Sequence, residues 1–377
     1  MLVQRSLLLL YALLAYSHLQ AEDVYQPAHF GQGELRIIDS IPVAILQGTP
    51  TEIGQQHAAL LANSSAELFQ FPKRMFEESG NGFFWPFAVS AGKTLLLNAP
   101  ARYRQEIEAA EERARLESDT LAVANTLLEL QRVGCSSLIV ESKRSATGGP
   151  LFGRNFDFPA FGLLDRYSVV KVIRPTGKRS FVEVGYPGLM GVFSGMNDAG
   201  LCVATLDVYD SADGSVVFEP TGVPMMLVFR QILEECTSVA EAEVLLGQTQ
   251  ATTRANLAVC DRERVVVFEI TPKQLARRDA VNGLIPCTNH FLTKGLTLHE
   301  QCWRYDRLKS AQDIPSLSVH DIHGYLHQAN QGELTLHTMV FEPREMVLHL
   351  SLGSPPSSGH KLHRLDLREL LVKVTDR

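Results

Sequence analysis

Val133-Gly134-Cys135-Ser136-Ser137, followed shortly by Gly153-Arg154-Asn155-Phe156-Asp157, is the stretch whose reading decides the fold. On its N-terminal side the pattern is helical. Across 94–133, Ile107, Ala110, Leu116, Leu121, Val123, Leu127, Leu128 and Leu130 recur at helical spacing, with Glu and Arg on the far side. On its C-terminal side the pattern turns to strands, with 135–141 and 151–157 flanking the turn signal Thr147-Gly148-Gly149. The one sharp boundary in the chain therefore falls between Gly134 and Cys135. Gly134 has no Cβ, so a neighbouring nucleophile can approach its carbonyl. Attack by the Cys135 thiol would give a thioester by N-to-S acyl shift, and hydrolysis would free an α-amine. With a pKa near ~7.7–8, that amine is a usable base for its own thiol. A Gly-Cys pair alone favours the plainer reading, a small buried strand residue.

Downstream, 168–174 and 180–186 pair around Pro175-Thr176-Gly177-Lys178, and a Gly-rich bend at 188–200 leads to 201–207. Two helices follow, over 224–235 and from a Ser238 cap to Gly247. A hairpin at 256–271, helical signal at 299–312 and 318–330, and a last hairpin over 335–352 complete the order. Hairpins alternating with helix pairs predict an α+β layer fold rather than βαβ repeats. Upstream, 34–47 reads as extended segments broken at Pro42. Thr49-Pro50-Thr51-Glu52 then opens a helix with a capping box, its apolar face carrying Ile53, His57, Leu60 and Leu61.

The chain has 377 residues, 45% hydrophobic and 20% charged, with a net charge of −7 and no basic block, which argues against nucleic-acid binding. Residues 7–15 are an apolar run behind Arg5, too short to span a bilayer and of signal-peptide length. We expect a signal peptide over 1–21, cleaved after Ser17 or Ala21, and an exported protein, periplasmic or secreted, without stable membrane insertion. Asn63-Ser64-Ser65 is a glycosylation signal if the source glycosylates exported proteins. The cysteines at 135, 202, 236, 260, 287 and 302 lack close C-x-x-C spacing, so no zinc or redox motif is expected. Disulfides remain open.

Four motifs in order carry a resemblance: Gly134-Cys-Ser-Ser137, Gly153-Arg-Asn-Phe-Asp157, Ser194-Gly-Met-Asn197-Asp-Ala-Gly-Leu201 and Cys287-Thr-Asn289-His-Phe291. Together they resemble the autoproteolytic acyltransferase/hydrolase family, typified by acyl-coenzyme A:6-aminopenicillanic acid acyltransferase. Its clan of N-terminal-nucleophile hydrolases adds choloylglycine hydrolase, penicillin V acylase and acid ceramidase. Gly48-Thr-Pro-Thr-Glu-Ile-Gly54 also resembles the family's pro-region. The resemblance implies a four-layer αββα fold over 135–377, preceded by a helical pro-segment, 22–134, that stays associated as a heterodimer after cleavage. It implies Cys135 as nucleophile, with Arg154 and Asp157 holding the thiol and the new amine. Asn197 is implied as an oxyanion-hole residue and Asn289 as a second active-site Asn. Arg304 resembles a late supporting Arg, and a charged helix face explains it equally well. His290 reads as structural.

The implied activity needs no cofactor: cleavage of a non-peptide C–N amide bond in a small N-acyl substrate through a thioester, or alternatively acyl transfer to an amine. An exported location disfavours acyl-CoA as donor. A papain-like protease lacks its signatures here, Gln-x-x-x-x-x-Cys and Cys-Gly-Ser-Cys-Trp. An exported, disulfide-bonded binding protein is the reading outside enzymes. The stretch Gly82-Phe83-Phe84-Trp85-Pro86-Phe87 reads as core in preference to an acyl pocket.

Overall fold

Strands begin well before Cys135. In the computed structural model, which describes residues 24–62, 64–78, 80–115, 120–126, 134–299 and 301–372, β1 (Ala28–Phe30), β2 (Gly33–Ile38) and β3 (Ile41–Gly48) form an antiparallel meander. The turn between β2 and β3 is at Asp39 and Ser40, both at positive φ, so the expected break at Pro42 is displaced. Pro42 lies inside β3, opposite Ile37. β3 then pairs in parallel with β6 (Val169–Pro175). The segment before Gly134 is thus not only helical, and the sequence boundary at Gly134/Cys135 is not a boundary of the fold.

From β6 the sheet continues antiparallel through β7 (Phe181–Gly185), β8 (Ser194–Asn197), β9 (Cys202–Asp207), β10 (Ala255–Cys260), β11 (Val265–Ile270) and β12 (Leu275–Asp279). A second, six-stranded sheet runs in the order β13 (Leu284–Cys287), β4 (Gly134–Val140), β5 (Leu151–Asp157), β14 (Thr335–Glu342), β15 (Val347–Ser351) and β16 (His363–Asp366). β8, β12, β13 and β16 fall where the sequence reads as bend or connection.

The helices are α1 (Pro50–His57), α2 (Ala66–Phe69), α3 (Phe71–Glu78), α4 (Trp85–Leu96), α5 (Ala101–Ala114), α6 (Thr120–Thr126), α7 (Met225–Glu235), α8 (Val239–Gly247), α9 (Trp303–Lys309), α10 (Val319–Gln328) and α11 (Leu367–Leu371). Both side chains of the Thr49–Glu52 capping box bond as the sequence predicts, and Ser238 caps α8. The near-continuous helix read over 94–133 is interrupted: Pro100 opens α5, and Arg115 closes it in a left-handed conformation. Leu116, Leu127, Leu128 and Leu130 lie outside the described residues, as do the 1–21 signal-peptide span and Asn63.

Side-chain alternation along β4 and β5 sets the layers. Leu138, Val140 and Leu151 face outward and pack on Leu308 of α9 and Ile322 and Leu326 of α10. Cys135, Ile139, Phe152 and Phe156 face inward and meet Val172, Val182, Val203 and Leu257 of the ten-stranded sheet. The outer side of that sheet carries α1 and α7, with α5 packed on α1. The order is helix, sheet, sheet, helix. Gly54 lies where α1 crosses α5, and a Cβ there would collide with the Glu106 carbonyl oxygen.

All six cysteines are free thiols, which removes the disulfide framework from the binding-protein reading. Among the described residues no helix is long and apolar enough to cross a membrane.

Candidate active site

The register of β4 against β5 builds the centre of the site. Gly134 lies opposite Asp157, Cys135 opposite Phe156 and Ser137 opposite Arg154. Arg154 is therefore diagonal to Cys135 on the inward face, within reach of a long side chain. Its Nη2 donates to Cys135 Sγ at 3.3 Å, and its Nη1 donates across the sheets to the Thr205 carbonyl. Arg154 is fully buried, and among the described residues its Nε has no hydrogen-bond partner.

Asp157 is equally buried. Thr335 donates to Oδ1 at 2.6 Å and Gln331 Nε2 donates to Oδ2 at 2.7 Å. Asn289, two residues beyond β13, accepts the Cys135 backbone N–H on Oδ1 at 2.7 Å and donates through Nδ2 to the Asp207 carbonyl at 2.9 Å. Arg304, in the first turn of α9, donates to the Cys135 carbonyl and, at 3.0 Å, to the same Asn289 Oδ1. Its Nη1 also lies 3.8 Å from Asp157 Oδ2. The structure thus gathers Cys135, Arg154, Asp157, Asn289 and Arg304 around one peptide bond, Gly134–Cys135.

It does not bring Asn197 there. Asn197 closes the far end of β8, where Nδ2 donates to the Leu233 and Cys236 carbonyls and Oδ1 accepts the N–H groups of Ala199 and Leu201. Every polar position of this buried amide is used to hold a turn against α7, so the oxyanion reading is corrected to a structural one. His290 bonds Thr288 Oγ1 through Nδ1 at 2.9 Å and sits edge-on to Tyr305, in keeping with the structural reading. Asp207, Gln331 and Thr335 are site residues that no motif marks.

Burial pushes the Cys135 thiol up to about 11; Arg154 pulls it down, and Asp157 and Asp207 push it further up. The thiol is therefore protonated at neutral pH and would need a base to act as a nucleophile. Burial likewise raises the Asp157 carboxyl, against the pull of its hydrogen bonds and of Arg304 and Arg154. The carboxyl so moves toward working pH as a base, while the thiol on the neighbouring strand moves away from it and has Arg154 to draw it back.

Behind Phe156 lies an apolar cavity of about 570 Å³, walled by Phe71, Phe76, Phe84 and Phe87 before the Gly134–Cys135 bond and by Phe156 and Phe193 after it. The Arg154 guanidinium, which holds the thiol, lies 5.4 Å from the ring centroid of Phe156, a residue of the cavity wall. Phe84 and Phe87 belong to this wall and not to the core, and Phe83 is 75% exposed, which corrects the core reading of that stretch.

His337 supports Phe156 from behind, stacked at 5.3 Å with Nε2 2.9 Å from Ser168 Oγ. Burial and Arg154 press it from 6.5 down to about 3. Its folded value lies below its unfolded one, so its contribution to stability is complete above pH 6.5 and is lost as pH falls toward 3. Thermal melts between those values should lose roughly 1 kcal/mol per pH unit from this group, and His337→Gln should flatten that slope.

Two facing sheets between helical layers, with a cysteine at the start of an inner strand, define an N-terminal-nucleophile architecture of the hydrolase and acyltransferase type. The chain belongs to the acyl-coenzyme A:6-aminopenicillanic acid acyl-transferase family, whose model matches residues 144–357. The 40 kDa form of acyl-coenzyme A:6-aminopenicillanic-acid-acyltransferase from Emericella nidulans is 26% identical over 257 residues, covering 65% of this chain and 68% of that protein. Among solved structures, an N-acylethanolamine-hydrolyzing acid amidase ortholog from Caenorhabditis elegans matches 61% of this chain and 100% of its own at 16% identity and TM-score 0.46. A mutant conjugated bile acid hydrolase from Clostridium perfringens matches 62% and 93% at 15% identity and TM-score 0.43. Penicillin V acylase from Agrobacterium tumefaciens matches 64% and 94% at 12% and 0.40.

Proposed function

We propose that this chain is a precursor that cleaves itself between Gly134 and Cys135, and that Cys135 then cleaves amide bonds of small N-acyl substrates. The observation that carries the proposal is the convergence on one peptide bond: its N–H is held by Asn289, the thiol beside it by Arg154, and Asp157 lies across from Gly134. In the first step Asp157 takes the thiol proton and Sγ attacks the Gly134 carbonyl carbon. The C–N bond breaks with a proton delivered to nitrogen, leaving a thioester and a free α-amine. Water hydrolyses the thioester, releasing the Gly134 carboxylate. In turnover the α-amine, held by Asn289, acts as base for the same thiol. The substrate acyl group moves to Sγ, the amine leaves with a proton, and water completes hydrolysis.

The cavity beside Phe156 supports an apolar acyl group. Family membership keeps acyl transfer in view, with an amine in place of water attacking the same thioester. Export through the 1–21 segment belongs to this proposal. So does a heterodimer of the two cleaved chains, supported by the β3–β6 pairing and by the Arg230–Glu106 bond.

Incubation with N-acyl amides of increasing acyl length, with rapid acid quench and mass analysis, tests the turnover. A thioester adduct on the fragment beginning at Cys135, with free fatty or aryl acid accumulating, is the expected result. Product without any adduct on that fragment, even in single turnover, would contradict the thioester.

A further inference from the structure

Gly134 is held in a notch. A Cβ built on it would collide with Nε2 of Gln331 and lie 3.3 Å from both Gln331 Cδ and Asp157 Cβ. A free amide would swing aside, but this one is braced: Nε2 donates to Asp157 Oδ2 at 2.7 Å. The backbone N–H of Gln331 donates to Thr335 Oγ1 at 2.9 Å, and that hydroxyl donates to Asp157 Oδ1 at 2.6 Å. One short segment, from Gln331 to the first residue of β14, therefore grips both carboxylate oxygens. The same amide presses against the residue on the acyl side of the Cys135 peptide bond.

We propose that Gln331 is a positioning residue for cleavage: braced on Asp157, it walls the space beside Gly134 Cα, restricts position 134 to glycine and fixes the Gly134 carbonyl against the Cys135 thiol. The inference rests on the self-cleavage reading and adds a residue to it. It has a coupling consequence. A side chain at 134 must push Gln331 off Asp157, so Gly134→Ala and Gln331→Ala damage the same contact and their effects should not multiply.

The test is the rate at which fragments appear from precursor made by cell-free synthesis, for wild type, Gln331→Ala, Gly134→Ala and the double variant. Each single variant should slow cleavage at least ~10-fold, as expected for losing a hydrogen bond to a charged group. The double variant should be no slower than the slower single. Gln331→Ala should also move the acidic limb of the rate–pH profile to higher pH, because Asp157 loses a donor that favours its ionised form. A merely structural role would lower the melting temperature and leave that limb in place. If Gln331→Ala does not fold, Gln331→Asn, whose shorter amide cannot reach both partners, carries the same expectations. Wild-type cleavage alongside unchanged rates in the Gln331 variants, or multiplying effects in the double variant, would overturn this inference alone. An intact wild type would overturn it together with the function it rests on.

Discussion

Arg154→Met is expected to slow self-cleavage and amide turnover by about 10²–10³-fold, the loss typical of removing one charge-stabilising donor from an enclosed site, without lowering the melting temperature. The two halves of that result come from the same geometry. Among the described residues the hydrogen-bond partners of Arg154 are a thiol and a carbonyl, not a carboxylate, and its Nε is buried without one. A buried cation so partnered costs folding free energy, and replacing buried ionic groups by apolar ones of similar volume is often neutral or stabilising. What it supplies is a positive charge beside Sγ, so its loss should raise an already elevated thiol further. Rates and melts on the same preparation check both halves. A variant that melts well below wild type would assign Arg154 a structural role.

Glu106→Ala is the second large effect, expected on stability: about 3–5 kcal/mol, the usual cost of breaking a buried ion pair by removing one partner. Arg230 donates to the two Glu106 oxygens at 2.8 and 2.6 Å, and to Glu234 at 2.8 Å, with all three side chains buried. Glu106 precedes the Gly134–Cys135 bond and Arg230 follows it, so under the proposed self-cleavage this pair would join the two fragments. Denaturant melts of the cleaved form measure the cost, and size exclusion shows whether the fragments part. Glu106→Met with Arg230→Met should recover part of the loss, since Glu234 keeps Arg102 as a partner at 2.9 Å and no buried charge is then left without one. A change below about 1 kcal/mol in the single variant would place it among the exposed pairs.

An α+β layer fold was legible in the succession of hairpins and helix pairs, and the four-layer order in the resemblance. The hairpins at 135–157 and 335–352 show as extended runs around turn signals, although both faces of their strands are buried, and the helix caps at Thr49 and Ser238 are local signals. Arg154 and Asp157 could be placed near Cys135 because β4 and β5 are consecutive strands. Asp207, Gln331 and Thr335 could not. Thr335 faces Asp157 through the pairing of β14 with β5, strands far apart in the chain whose register no local pattern states. Asp207 reaches Asn289 through its own backbone carbonyl, a contact blind to side-chain identity.

Asn197 failed for the opposite reason. Its Asn-Asp-Ala-Gly sequence is both a motif and an ordinary turn, and Gly200 at positive φ shows the turn prevailing. β2 and β3 lie on the stretch 34–47 that reads as extended, but a parallel partner as distant as β6 leaves no mark in either segment.

The central claim is that Cys135 is a latent nucleophile released by its own attack on Gly134. Intact mass of purified wild type beside Cys135→Ala, under mild reducing conditions, tests it most directly. The account predicts two fragments for the wild type, one beginning at Cys135, and one unbroken chain for the variant. A single chain in both, or the same two fragments in both, would contradict it.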